Sequence, residues 1–149
     1  MHPSPKHETI NSQTTANRPL MEDRRRSVLI ADDDADTRLM LRTVLELNSF
    51  KVLEAADGEA AVQLVEKERP DVVLMDFSLP VIDGLAALRR IRASTTTPEV
   101  PIIFLSGRAE PAPQMAAREA GCNDYLVKPV DLDRVVRLVE GCLVNSSAN

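Results

Sequence analysis

Five short apolar runs alternate with segments whose apolar residues recur at helical spacing, and this alternation constrains the fold more than any other feature. The runs are Val28–Ala31, Val52–Ala55, Val72–Met75, Ile102–Leu105 and Tyr125–Val127. Most are apolar at consecutive positions, which is typical of strands buried on both faces. Strand–helix units in strict alternation predict a parallel sheet covered by helices on both faces, with right-handed crossovers.

The segments between the runs predict the helices. Their apolar residues fall at Met40, Val44 and Leu47; Ala61, Leu64 and Val65; Leu85, Leu88 and Ile91; and Leu132, Val135, Val136, Val139 and Leu143. Residues Pro111–Ala120 predict one more helix, with Pro111 and Pro113 tolerated only in its first turn or just before it. An eight-stranded barrel needs roughly 250 residues, and this chain of 149 is too short for one. The fold class is therefore α/β, an open, doubly wound, five-stranded parallel sheet.

Charge and composition divide the chain into a polar end and an acidic folded part. Residues 1–26 are rich in Ser, Thr, Asn and Pro, show no periodicity and predict a disordered N-terminal tail. We expect one folded domain over residues 27–144 and a C-terminal tail over residues 145–149. The N-terminal tail, residues 1–26, carries five basic and three acidic residues. The net charge of −5 for the whole chain therefore leaves −7 for residues 27–149. That acidity argues against direct binding of nucleic acid or an anionic membrane.

The sequence also predicts where the protein is located. No apolar run approaches the roughly 18 residues of a membrane span, and the first twenty residues lack the apolar core of a secretory signal. Cys122 and Cys142 lie in no metal-binding or disulfide pattern. We expect a cytoplasmic protein with reduced thiols and no membrane insertion.

Polar side chains follow four of the five predicted strands. Asp32–Asp34 follow the first strand, Asp76 the third and Ser106 the fourth, and the fifth runs into Lys128-Pro129. In open parallel sheets ligands bind beyond the carboxyl ends of the strands, so these groups are expected to converge there. Crowded carboxylates favour a raised pKa or a bound cation, and a few oxygen ligands with open positions suit Mg²⁺. A carboxylate beside Mg²⁺ and a lysine is placed to attack a phosphoryl group and form an aspartyl phosphate.

The residues that follow the strands resemble those of one known family. Asp32-Asp33, the segments LMDFSLPVIDG and IIFLSG, and YLVKP together resemble the receiver domain of bacterial two-component response regulators. The resemblance covers residues 27–144 and implies a CheY-like, flavodoxin-like (βα)5 fold with strand order 2-1-3-4-5. It implies a stand-alone phosphoacceptor switch rather than an enzyme, catalysing only its own phosphorylation and dephosphorylation.

The resemblance also implies a role for each site residue. Asp76 is the phosphoacceptor, and Asp32 and Asp33 form the acidic pocket for Mg²⁺. Asp33, Asp76 and the main-chain carbonyl of Ser78 are the implied direct ligands of the metal. Lys128 pairs with the phosphoryl group.

A second group of residues is implied to transmit the signal. Ser106 is the switch hydroxyl, and Tyr125 is the switch aromatic that turns inward when Ser106 is drawn to the phosphate. The Lys128–Pro129 peptide is expected to be cis. The face formed by the fourth helix, fifth strand and fifth helix is then expected to change shape.

The same resemblance implies the partners. We expect a sensor histidine kinase or a histidine phosphotransfer protein as phosphodonor, and a downstream protein target or a second copy in a phosphorylation-dependent homodimer as reader. No further domain follows the fifth predicted helix in these 149 residues, so output is expected through a partner.

Alternative functions use the same acids. Asp32-x-Asp34-x-Asp36 begins like an EF-hand loop, but Thr37 and Thr43 stand where that loop needs Gly and Glu, which excludes it. A haloacid-dehalogenase-like phosphatase would use Asp32 as its nucleophile, yet its second acidic pair and its cap insertion are not visible. A non-phosphorylated scaffold on a receiver fold is the remaining alternative.

Overall fold

Five strands and five helices alternate in the computed structural model, which describes residues 25–147. The strands are β1 Ser27–Ala31, β2 Lys51–Ala55, β3 Val72–Asp76, β4 Ile102–Ser106 and β5 Asp124–Val127. The helices are α1 Ala35–Leu47, α2 Gly58–Glu68, α3 Gly84–Ala93, α4 Pro111–Glu119 and α5 Leu132–Ser147. The predicted alternation is confirmed. Residues 1–24 of the predicted N-terminal tail lie outside the described residues.

The strands form one parallel sheet in the order β2-β1-β3-β4-β5, as predicted. The chain runs from β1 outward to β2 and then crosses to β3 on the other side of β1. A crevice therefore opens between the carboxyl ends of β1 and β3. In the register, Ala31 pairs with Met75, so the loop after β1 begins beside the end of β3.

Helices cover both faces of the sheet. On one face, Met75 and Phe104 pack with Leu88 of α3 and residues of α2 and α4. On the other face, Leu74 packs against α1 and α5, and Leu45 of α1 belongs to the same cluster. All five positions of β3 and of β4 are buried, which explains why these strands are apolar at consecutive positions. Each fully buried large aliphatic side chain contributes about 1.5–3 kcal/mol.

Two details of the helices differ from the predictions. In α1, Leu41 and Leu45 are the buried pair, whereas Met40 and Leu47 are 45% and 79% exposed. The helix predicted from Met40, Val44 and Leu47 is confirmed, but its core-facing side is formed by Leu41 and Leu45, with Val44 partly buried against the core. At the other end of the chain, α5 continues to Ser147, three residues past the predicted domain boundary.

The start of α4 follows the sequence prediction. The helix begins at Pro111, with Pro113 in its first turn, and its preceding residue Glu110 makes no side-chain capping bond. In contrast, α2 and α3 are each capped by an aspartate, Asp57 and Asp83. Within residues 25–147, no helix has the length and apolar character needed to cross a bilayer.

Candidate phosphoacceptor site

Asp76 lies at the centre of the crevice, as the last residue of β3. Its side chain is largely buried, with the residue 8% exposed. Asp76 Oδ1 accepts a hydrogen bond from the Ser78 N–H at 3.2 Å, and Asp76 Oδ2 is 3.6 Å from Lys128 Nζ. Burial raises the pKa of Asp76, and the Ser78 amide and Lys128 offset only part of that effect. A negative charge is therefore held at this position at an energetic cost.

The two acids after β1 complete an acidic cluster with Asp76. Asp32 is buried, and its Oδ1 accepts from the Asp34 N–H at 2.9 Å. Asp33 is exposed at the rim. One carboxylate oxygen from each of Asp32, Asp33 and Asp76 lies within 4.8 Å of the others. The structure thus brings together the three predicted acids, and the small set of hard oxygens fits Mg²⁺ with positions left for water and phosphate.

Lys128 links the acids from the end of β5. Its Nζ donates to Asp32 Oδ2 at 3.1 Å, and its main-chain N–H donates to the Ser106 carbonyl at 2.7 Å. The Lys128–Pro129 peptide is cis, as predicted. Burial alone would lower the pKa of Lys128, but the hydrogen bond to Asp32 and the charge of Asp76 outweigh it and raise the pKa. The ammonium therefore keeps its positive charge beside Asp32 and Asp76.

Both predicted switch groups are bonded to the main chain of one residue, Arg108. The fully buried Ser106 accepts at Oγ from the Arg108 N–H at 2.9 Å. The Tyr125 hydroxyl donates to the Arg108 carbonyl at 2.8 Å. The Tyr125 ring is 6% exposed. The Tyr125 ring lies inward in this structure, and the expectation that it turns inward on phosphorylation stays a prediction.

Two residues that shape the site were not predicted from the sequence. Phe77 packs edge-on against Phe104 and Tyr125, with ring centroids 5.2 and 5.8 Å apart, and so connects the residue after Asp76 to the aromatic of β5. Gly84 opens α3, and a Cβ there would stand 2.6 Å from the Asp76 carbonyl oxygen. The sequence signals that could have indicated them were an aromatic, Phe77, directly after Asp76 and a glycine, Gly84, directly after the capping Asp83.

A cleft of about 400 Å³ opens beside the acidic cluster. Its lining residues are Asp33, Phe77, Ser78, Leu79, Pro80, Asp83 and Arg108. Arg108 is exposed there, and its Nε is 3.8 Å from Glu110 Oε1. The cleft therefore reaches the acidic cluster at Asp33.

Fold and site together define a doubly wound α/β domain with an acidic centre at the topological switch point. The family profile described as response regulator receiver domain matches residues 28–140. The chain is 38% identical over 116 residues to the transcriptional regulatory protein PrrA of Mycobacterium tuberculosis, which covers 78% of this chain and 49% of PrrA. The chain belongs to the response regulator receiver domain family.

Solved structures agree with this assignment. The chemotaxis response regulator CheY4 of Vibrio cholerae matches with a TM-score of 0.74 at 26% identity, covering 79% of this chain and 98% of CheY4. The receiver domain of the sensor histidine kinase PA1611 from Pseudomonas aeruginosa matches with a TM-score of 0.72 at 34% identity, covering 78% and 95%. That structure has a magnesium ion coordinated in its active site cleft.

The comparisons also bear on the alternatives and on the extent of the match. They give no support to a haloacid-dehalogenase-like phosphatase. Receiver domains of response regulators are not a conventional enzyme family. The chain spans about half the length of the curated relatives it matches.

Proposed function

We propose that this chain is the phosphoacceptor switch of a two-component phosphorelay and that Asp76 is the residue phosphorylated. The observation that carries the proposal is the meeting of Asp76 with Asp32, Asp33 and Lys128 at one crevice. Phosphorylation would convert the buried Asp76 carboxylate into a mixed anhydride whose negative charge lies on the phosphoryl oxygens, within reach of Lys128 and of a bound cation. The donor is proposed to be a histidine kinase or a histidine phosphotransfer protein.

The residues divide the chemistry among them. An Asp76 carboxylate oxygen forms a bond to phosphorus while the phosphorus–nitrogen bond of the donor breaks, and the electron pair stays on the donor imidazole. Asp33, Asp76 and the Ser78 carbonyl would hold Mg²⁺, which offsets the charge of the transferred group. Lys128 can exchange its bond to Asp32 for one to a phosphoryl oxygen, since its Nζ already lies between Asp32 and Asp76.

Mass spectrometry after treatment with acetyl phosphate and Mg²⁺ tests the assignment. The wild-type chain is expected to gain one phosphoryl group, and Asp76→Asn is expected to gain none. Asp83→Asn is the matched control, because Asp83 lines the same cleft but caps α3, and asparagine caps equally well. Phosphorylation of Asp76→Asn would favour the phosphatase alternative, and a wild type that accepts no phosphoryl group from any donor would favour the scaffold.

We further propose that Ser106 couples the phosphoryl group to the partner-binding face. Phosphoryl oxygens would draw the Ser106 hydroxyl away from the Arg108 N–H, and the main-chain carbonyl of the same residue accepts from the Tyr125 hydroxyl. Exposed apolar side chains on α4, β5 and α5, namely Met115, Val127 and Val144, offer a face for a downstream protein or a second copy. A cytoplasmic location is proposed with this role.

Hydrogen exchange of the loop after β4 and of α4 tests the coupling. Phosphorylation is expected to change exchange there in the wild type and in Ser106→Thr, which keeps the hydroxyl. Ser106→Ala is expected to be phosphorylated without that change. An equal response in Ser106→Ala would contradict the coupling.

A further inference from the structure

An arginine that is not a member of the acidic cluster contacts the main chain of Asp32. Arg38 lies in the first turn of α1, and its Nη1 donates to the main-chain carbonyl of Asp32 at 2.7 Å. The Arg38 side chain is only 19% exposed. A cation near the positive N-terminus of a helix is electrostatically disfavoured, so specific contacts must hold this one in place.

Asp32 is held at four points, and Arg38 supplies one of them. The Asp32 N–H donates to the Ala55 carbonyl at 3.0 Å, which fixes the residue to β2. Its two carboxylate oxygens accept from the Asp34 N–H and from Lys128 Nζ. The carbonyl is the remaining polar group, and Arg38 is its partner. Of the four contacts, the Arg38 bond can be removed without altering the acids, the strands or the lysine.

A chain of alternating charges holds the Arg38 guanidinium in position. Arg38 Nε donates to Glu54 Oε1 at 2.8 Å, and Arg42 Nη1 donates to the other oxygen of Glu54. Arg42 in turn donates from Nε to Glu46 Oε2 at 3.0 Å. Arg38 thus uses two separate nitrogens of one planar fork, one for Asp32 and one for Glu54. A lysine ammonium, a single point charge, does not reproduce that geometry.

We propose that Arg38 is a positioning residue for the acidic site, fixing the Asp32 peptide so that the oxygens of Asp32 and Asp33 stay in the cluster. The inference rests on the proposed function in one respect, namely that the cluster binds Mg²⁺. The direction of the change in Mg²⁺ affinity distinguishes a positioning contact from a simple effect of charge. Removing a positive charge near three carboxylates should strengthen cation binding by Coulomb's law, whereas removing a positioning contact should weaken it.

Titration of the full ¹⁵N-labelled chain with Mg²⁺, followed by amide chemical shifts of the site loops, tests the proposal. Arg38→Ala is expected to raise the Mg²⁺ dissociation constant about 10-fold, at the lower end for residues that orient a metal ligand. Arg38→Lys keeps the charge and is expected to weaken binding several-fold. Arg42→Ala is the matched control, because it also loses a positive charge and a bond to Glu54 but does not touch Asp32. It is expected to bind Mg²⁺ at least as tightly as the wild type.

The stability of each variant is measured by urea unfolding in EDTA. The Mg²⁺ titration is run under conditions in which every variant is folded. Equal or tighter binding by Arg38→Ala would overturn the proposal in favour of a charge effect. Equal weakening by Arg38→Ala and Arg42→Ala would overturn it in favour of general support of the fold. A wild-type chain without Mg²⁺-dependent shifts would overturn the metal site itself and this inference with it.

Discussion

The two ends of the sheet hold charged groups in opposite ways. At the amino end, the half-buried Arg92 donates to the carbonyls of Pro98, Val100 and Gly121 and to the side-chain oxygen of Asn123, at 2.7 to 3.1 Å. The Asn123 oxygen also accepts from the Ile102 N–H at 2.9 Å, so this centre ties β4 to the turn before β5. At the carboxyl end, three carboxylates each place an oxygen within 4.8 Å of the others, and one lysine pairs with two of them, Asp32 and Asp76.

The difference shows where stability and function lie in this molecule. Burial lowers the pKa of Arg92, and the hydrogen-bond acceptors around its guanidinium are neutral oxygens of the main chain and of Asn123. The carboxyl end instead keeps negative charge in excess, which costs stability until a cation binds. One end supports the fold and the other is prepared for a ligand.

The largest expected effect is at the amino end. Arg92→Ala should lower the free energy of unfolding by about 2 kcal/mol, because the half-buried arginine loses its packing and its charge-assisted hydrogen bonds to three main-chain carbonyls and to Asn123. Its Mg²⁺ affinity should not change, since Arg92 lies at the opposite end from the acids. Urea denaturation measures the first quantity and calorimetric titration the second. The exposed neighbour Arg89 is the control, and Arg89→Ala should stay within about 0.5 kcal/mol of the wild type. A weakened metal site in Arg92→Ala would break the division between the ends.

The same substitution at both ends of β3 should have opposite signs. Asp71, just before the strand, accepts from the Ser27 N–H at 2.8 Å, so Asp71→Asn should cost about 0.5–1 kcal/mol. Asp76→Asn should stabilise the metal-free protein at pH 7 by about 1 kcal/mol, because it removes a buried charge.

The pH dependence of that pair sharpens the comparison. The folded state raises the pKa of Asp76, so the penalty is present above that pKa and disappears as pH falls through it. The advantage of Asp76→Asn in urea unfolding with EDTA should therefore shrink in acid. A destabilised Asp76→Asn at pH 7 would show that the acidic cluster carries no electrostatic penalty.

The smallest expected effect concerns the charge chain behind the site. Hydrogen bonds from Arg38 and then Arg42 lower the pKa of Glu54. Its contribution to stability is present above the ordinary glutamate pKa of 4.5 and is lost as pH falls through the lowered value. Glu54→Gln should be less stable than the wild type by at most about 1 kcal/mol at pH 7, because the group is partly exposed and screened. The gap should close in acid, and a gap that widens there would contradict the pairing.

The sequence predicted what depends on local pattern and on the topology of parallel sheets. The strand ends carry Asp32, Asp76 and Lys128, and the order of the strands is sufficient to bring them together. The contacts made by Arg92 and Arg38 were not predictable, because both residues look like surface arginines on helices and their partners are distant loops and carbonyls. The inward position of Tyr125 depends on the conformation of the loop after β4, which no local pattern specifies.

The hydrogen bond between Tyr125 and Arg108 also makes Tyr125 an intrinsic fluorescence probe of the loop after β4. Tyr125 is the only tyrosine in a chain without tryptophan, so the near-ultraviolet absorbance and fluorescence of the protein come almost entirely from this one ring. Its phenol is a hydrogen-bond donor to the loop that follows Ser106. Any rearrangement of that loop should therefore alter the emission of the unlabelled protein, and the kinetics of the switch can be followed by stopped-flow fluorescence without a dye.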